Sequence, residues 1–150
     1  MYKPVIKSKT LELLKEEADE DMILRIDRTD ADALDTPKIY NKYHKEYRIV
    51  KNELLAQQLN MKKMWLHKWL YYSGKSDPKV YKEKPLQLKI MASNVKMFIE
   101  GDEDIIKLAY IIGMMENKLE FLEGTLLEIG KRSFHIKNAI DSLKFKHGVN

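Results

Sequence analysis

Between Ile105 and Ile129, apolar residues stand at 105, 108, 112, 115, 119, 122, 126 and 129, alternating steps of three and four without a miss. Residues so spaced fall on one stripe of an α-helix, and a stripe of that length reads as a coiled-coil seam. Another long helix or another subunit must cover it. Gly101-Asp102-Glu103-Asp104 supplies a start, with acids suited to the positive end of the helix dipole, and Gly130 supplies a stop. Beyond the break at Lys131-Arg132-Ser133, a last helix is expected from Phe134 to about Lys146, with Ile136, Ala139, Ile140 and Leu143 on one face.

The second long helix is found upstream. From Pro37 to about Tyr72 no Gly or Pro interrupts, and apolar residues fall at 40, 43, 47, 50, 54, 61 and 64, with a lapse at Gln57. Thr36-Pro37 reads as its start, since Thr caps and Pro suits the first helical position. At 100° per residue, Lys38, Lys42, Lys45 and Lys63 project opposite the apolar stripe, where they can face phosphates, with Arg48, Lys51 and Lys62 on its flank. Lys68 projects onto the apolar side and there needs a partner or a route to solvent. Thr10 to Glu20 reads as a short amphipathic helix capped by Thr10, Met22 to Ile26 as extended, and Asp27, Asp30, Asp32 and Asp35 as turns. Ser73 to Pro85, with Gly74, Pro78 and Pro85, reads as a basic loop. In 86–99 the alternation of Leu86, Leu88, Ile90 with Val95, Met97, Ile99 favours a β-hairpin over a short amphipathic helix. The fold class is mainly α: two long helices in an antiparallel coiled-coil-like hairpin, short N- and C-terminal helices, and the β-hairpin. One domain of 150 residues is expected, divided into an acidic segment 1–36, a basic helix and loop 37–89, and a packing and oligomerisation region 90–150. Long amphipathic helices in a chain with only 6 Gly and 4 Pro leave stripes for other subunits, which points to an oligomer.

Charge is concentrated. Residues 38–89 hold thirteen Lys and Arg against four acids, a net +9 in a chain of net +4, together with eight of the fourteen aromatics. Charge attracts phosphates, and flat rings stack on unpaired bases. The absence of Cys removes disulfides, thiolate metal sites and Cys nucleophiles, and suits an intracellular setting. Met1 to Thr10 has no apolar leader core, and the longest apolar run, Leu108 to Met115, is too short to span a bilayer. Gly74-Lys75-Ser76 imitates the end of a phosphate-binding loop, but Trp69 stands where the motif needs Gly. Asp30-Ala31-Asp32 begins like a calcium loop, yet Asp35 and Asn41 occupy the positions of its Gly and Glu. His44, His67, His135 and His147 show no metal-ligand or catalytic spacing. No enzymatic activity, cofactor or metal is expected.

The candidate site is therefore Met61 to Lys75, with Lys62, Lys63, Trp65, Lys68, Trp69, Tyr71, Tyr72 and Lys75 as the DNA-binding residues. The plain alternative is a helix end whose rings fill a core and whose lysines are solvated. Wheel position sends Trp65 and Tyr72 to the stripe and leaves Tyr71, at the helix exit, as the ring freest to meet a base.

Trp69-Leu70-Tyr71-Tyr72-Ser73-Gly74-Lys75, then Asp77 and Val80-Tyr81, and later Lys131-Arg132-Ser133-Phe134-His135-Ile136-Lys137-Asn138, resemble the UvsY family of recombination mediators from T-even-like bacteriophages. The likeness runs from about Leu54 to Gly148; the first thirty-five residues match poorly. It implies a non-enzymatic protein in the cytoplasm of the infected host, away from membranes, that binds single-stranded DNA as a hexameric or heptameric homo-oligomeric ring. It further implies partners: the phage RecA-like recombinase, which it loads, and the phage single-strand-binding protein covering the strand. The family's binding segment has Lys and Arg two positions apart; here Lys68 matches the Arg but Leu66 replaces the Lys, so Lys62 and Lys63 are the substitutes. The rival reading is a coiled-coil structural or adaptor protein without nucleic-acid binding.

Overall fold

The computed structural model describes residues 5–148, so the first four residues of the segment read as lacking a leader lie outside the description. Among the described residues all regular structure is helical: α1 (Leu11–Asp21), α2 (Thr29–Tyr72), α3 (Pro78–Glu83), α4 (Val95–Glu100) and α5 (Glu103–Lys146), with single 3-10 turns at Ile26–Arg28 and Ala92–Asn94. Contacts divide the chain into two compact units. Of the described residues, one comprises 5–52 and 117–148, the other Glu53–Glu116. The two 44-residue helices α2 and α5 contribute a segment to each.

In the first unit, α1 is capped as its sequence predicts, the Thr10 side chain accepting a hydrogen bond from the Leu13 N–H. Its apolar face is buried through Leu14 and Ala18. The α2 and α5 segments run antiparallel, since Tyr47 Oη donates to Glu123 while Asp32, a turn into α2, lies near Arg132, far along α5. Tyr43 and Val50 from α2 and Leu122, Ile129 and Ile136 from α5 are buried. Of the acidic stretch expected to form turns, Asp27 lies in the 3-10 turn, but Asp30, Asp32 and Asp35 belong to the start of α2, which begins eight residues before Pro37. A proline inside a helix forfeits one backbone hydrogen bond at about 3 kcal/mol. Tertiary contacts outweigh that cost: the buried Asp32 carboxylate accepts the Arg25 N–H at 2.9 Å and lies 3.8 Å from the Arg132 guanidinium, which fastens the turns ahead of Pro37.

Gly130 does not end α5. It has no left-handed φ, and burial continues across it from Ile129 through Arg132 to Ile136, so the expected second long helix and last helix are one. Packing of that continuous face offsets the glycine's helix penalty of about 1 kcal/mol. The seam is also rotated. Met115, Leu122, Ile129 and Ile136 are buried at seven-residue intervals, but their interleaved partners are Lys118, Thr125 and Arg132, while Ile112, Leu119 and Leu126 are half-exposed. In the first unit the reason is α1 and the residues before it. Lys118 donates to Ser8 Oγ at 2.6 Å and to the Lys9 carbonyl at 3.2 Å; Arg132 donates to the Asp21 carbonyl at 2.9 Å. Cations on α5 thus hold both ends of α1.

The second unit packs Met61, Met64, Trp65 and Tyr72 of α2 against Val95, Ile99, Ile105 and Ile90. The β-hairpin expected at 86–99 is not formed. Val95 and Ile99, four apart, are the buried pair there, whereas Met97 is exposed, so burial follows the helical period of α4. The loop read from Ser73 to Pro85 contains α3, which begins as a Pro-first helix should, with Asp77 accepting the Lys79 N–H at 2.8 Å. The end of α2 lies where Gly74 put it. With φ +72 there, the Lys75 N–H reaches the Leu70 carbonyl and the Gly74 N–H the Tyr71 carbonyl, which is the Schellman arrangement.

Candidate nucleic-acid interface

All eight predicted binding residues lie in the second unit, on or just after the last turns of α2, and they separate into two groups. Lys68, Trp65 and Tyr72 face inward. Lys68 Nζ sits 2.9 Å from Asp102 and 2.7 Å from Asp104, at the start of α5, and Tyr72 Oη donates to Asp102 at 2.7 Å. Asp102 also accepts the Asp104 N–H at 2.9 Å, capping α5. Burial alone would raise the Asp102 carboxyl, but the bonds from Lys68 and Tyr72 outweigh it and hold the group below the usual carboxylate range. The Lys68 bond does the same directly for Asp104. Burial would lower the Lys68 ammonium; its two carboxylates instead raise it. Burial and the Asp102 bond push Tyr72 up to about 12. Lys68 therefore has the partner its wheel position demanded. Asp102 and Asp104, read as dipole-complementing acids, are also its counter-ions.

Tyr71 is less free than its place at the helix exit suggested. Its ring stacks on Tyr81 at 5.5 Å, meets Tyr72 edge-on at 5.1 Å, and its hydroxyl donates to the Lys84 carbonyl. Tyr81 in turn donates to the Tyr71 carbonyl at 2.8 Å, so α3 is fastened across the helix exit by these rings. Beside them opens a cleft of about 740 Å³. Lys68, Lys75 and Lys84 line it, but so do Asp77, Asp102, Glu103 and Asp104. Four carboxylates against three ammonium groups make the cleft a poor seat for phosphate.

The outward group is Lys62, Lys63, Trp69 and Lys75. The three lysines are exposed and form no ion pair among the described residues. Trp69 is 38% exposed, and Lys75 Nζ stands 4.7 Å from its ring centroid. This is a cationic surface with one accessible indole, so Trp69 rather than Tyr71 is the freer ring. An exposed apolar strip was missed by sequence reasoning: Leu55, Leu59, Leu66 and Trp69 fall on one helix face with Lys62 among them. Its signal was present as a second set of three- and four-residue steps, masked by the stronger inner stripe. In the first unit, Lys42 is not available to phosphates as its wheel position proposed. It bridges Glu17 at 3.1 Å and Asp21 at 2.7 Å on α1, and Tyr43 Oη also donates to Asp21.

Comparison with known proteins gives a consistent result. The family model described as recombination, repair and ssDNA binding protein UvsY matches residues 17–149, so the likeness begins well before Leu54. The recombination protein uvsY of Enterobacteria phage T4 is 25% identical over 138 residues, covering 92% of this chain and 98% of that protein. Two crystal structures of the bacteriophage T4 recombination mediator protein UvsY share the fold at 24% identity. One aligns with a TM-score of 0.81 over 93% of this chain and 98% of the other; the second, in another lattice, with 0.77 over 92% and 99%.

Proposed function

The chain belongs to the UvsY family of recombination, repair and ssDNA-binding proteins, and from that premise we propose that it acts as a recombination mediator. It binds single-stranded DNA as a homo-oligomeric ring, hexameric or heptameric, and loads a RecA-like recombinase onto strands covered by single-strand-binding protein in the cytoplasm of the infected host. It performs no catalytic step and takes no cofactor. The observation that carries this reading is a set of exposed lysines on the end of α2 and just after it, Lys62, Lys63 and Lys75, that form no ion pair among the described residues, with Lys75 held against the exposed Trp69 ring. Lysines there neutralise successive phosphates, and a base that displaces the Lys75 ammonium stacks on the indole. One such surface binds weakly and releases in salt. A ring of them makes each further contact intramolecular, raising effective affinity by about 10² or more without any new contact. Such a ring holds the strand against a competing protein while each single contact stays weak enough for a recombinase to displace.

Self-association is supported by the exposed apolar residues. Leu55, Leu59 and Leu66 stand on α2, and Leu127 and Phe134 on α5, each exposed by about half or more. The same strips favour the rival reading of an adaptor that binds only proteins. The deciding assay measures the recombinase's DNA-dependent ATP hydrolysis on strands already coated with single-strand-binding protein. Addition of this protein should shorten the lag; an unchanged lag, with no binding to bare oligonucleotide, leaves the adaptor.

A further inference from the structure

The first unit carries a second ordered array of rings and cations, on a stretch of α2 separate from Lys62, Lys63, Trp69 and Lys75. Tyr40, His44, Tyr47 and Lys51 follow one another by steps of four, three and four, so they form one strip along the helix. The rings are stacked. Tyr40 and His44 have centroids 5.7 Å apart at 12° between planes, and His44 and Tyr47 6.3 Å at 18°. Lys51 closes the ladder, with Nζ 5.4 Å from the Tyr47 centroid and 3.3 Å from its hydroxyl. Each of these residues is followed by one of a parallel strip: Asn41, Lys45, Arg48 and Asn52. That second strip, with His44 and Ile49, lines a shallow groove of about 300 Å³ that has no acid in its lining. Lys45 and Arg48 are exposed and take part in no ion pair among the described residues. The carboxylate that touches the ladder, Glu123, accepts the Tyr47 hydroxyl at 3.2 Å. At the other end Tyr40 is 41% exposed.

We propose that this α2 face is a second contact surface for single-stranded nucleic acid, with phosphates held by Lys45 and Arg48 and an unpaired base extending the ring stack at Tyr40. The chemistry is that of a backbone-tracking groove beside a stacking platform, and two side-chain amides stand in the groove to meet base edges or sugar. Ladder order matters. A ring already held parallel to its neighbour loses little freedom when a base adds to the stack, so the platform is preorganised. The inference rests on the single-strand-binding reading and adds a surface whose residues are separate from Lys62, Lys63, Trp69 and Lys75.

The test is an oligothymidylate anisotropy titration across a range of salt, on the full chain, for wild type, Lys45→Ala/Arg48→Ala and Tyr40→Leu, with thermal melting alongside. Two phosphate contacts on a single strand contribute about 1.4 to the log–log salt slope, at about 0.7 each, and the double variant should lose that much. Tyr40→Leu should weaken binding at least about fivefold with the slope unchanged. All three residues are exposed, so melting temperatures should agree with wild type. Should the double variant match wild type in affinity and slope while Lys62→Ala/Lys63→Ala loses both, this surface is not a contact and the inference alone fails. If wild type itself does not bind the oligonucleotide, the functional reading fails with it.

Discussion

Replacing Lys68 by Met separates a structural cation from a DNA-binding one. The variant keeps an apolar stem of similar length but leaves Asp102 and Asp104 without the ammonium at 2.9 and 2.7 Å. An exposed ion pair contributes at most about 1 kcal/mol, whereas breaking a buried one costs about 3–5 kcal/mol. The site lies between these limits, with side-chain exposures of 20% for Lys68, 9% for Asp102 and 38% for Asp104. A loss of about 2 kcal/mol is therefore expected, or roughly 4–8 °C in melting temperature for a protein of this size. Circular dichroism melting at neutral pH measures it. Repeating the melts in acid adds a check of sign. Both carboxyls are held below their ordinary range, so the pair's stabilisation is present in full above about pH 4 and lost as pH falls through the lowered values. Wild type and variant should converge there. The salt slope of oligonucleotide binding should not change, because Lys68 is already engaged. An unchanged melting temperature together with a slope reduced by about 0.7 would refute the reasoning and return Lys68 to the phosphate-binding group.

Trp65 and Trp69 should part company in the same two assays: Trp65→Ala should cost about 3–5 kcal/mol of stability, and Trp69→Ala about 1–3 kcal/mol of DNA binding with little thermal loss. Equal thermal losses would place both rings in the core. Leu122, which is 0% exposed, should cost about 2–5 kcal/mol when replaced by Ala, and Leu122→Asp should leave the protein unfolded or dissociated by light scattering. In alkali, Tyr72 is raised to about 12 by burial and by Asp102, and Tyr43 is raised by burial and by Asp21. Groups raised in the folded state stabilise fully below their unfolded values, so stability should hold to about pH 10 and fall as pH climbs through the raised values. Tyrosinate absorbance should then show Tyr72 and Tyr43 ionising late, together with unfolding; their complete ionisation near pH 10 in the folded protein would contradict the burial of both hydroxyls.

The helices were legible where period and local chemistry agreed. Thr10 and Gly74 mark real helix ends, and the Ile105 to Ile129 spacing marks a real helix. Misreadings arose where a local signal lost to distant contacts. Pro37 and Gly130 are strong punctuation in isolation, but Asp32 is tied to Arg25 and Arg132, and Arg132 and Ile136 are buried past the glycine. The period-two pattern at 86–99 failed because the residues fully buried there, Val95 and Ile99, stand four apart, while Met97 between them is exposed. At the candidate site the helical wheel placed Lys68 on the inner side and sent Trp65 and Tyr72 inward, since a wheel needs only the helix. It could not show that Asp102 and Asp104 meet Lys68, that Tyr81 covers Tyr71, or that α1 engages Lys42, because each depends on a segment outside the helix.

Strand binding through Lys62, Lys63, Lys75 and Trp69 is tested most directly by oligonucleotide affinity as a function of salt, for wild type and for Lys62→Ala/Lys63→Ala/Lys75→Ala. Three phosphate contacts contribute about 2 to the slope on a single strand, so the triple variant should bind more weakly and lose about that much, with its melting temperature unchanged. Wild type should also prefer single strands to duplex, since only unpaired bases offer a face to Trp69. Salt-independent binding, equal affinity for duplex, or a triple variant indistinguishable from wild type would contradict the account.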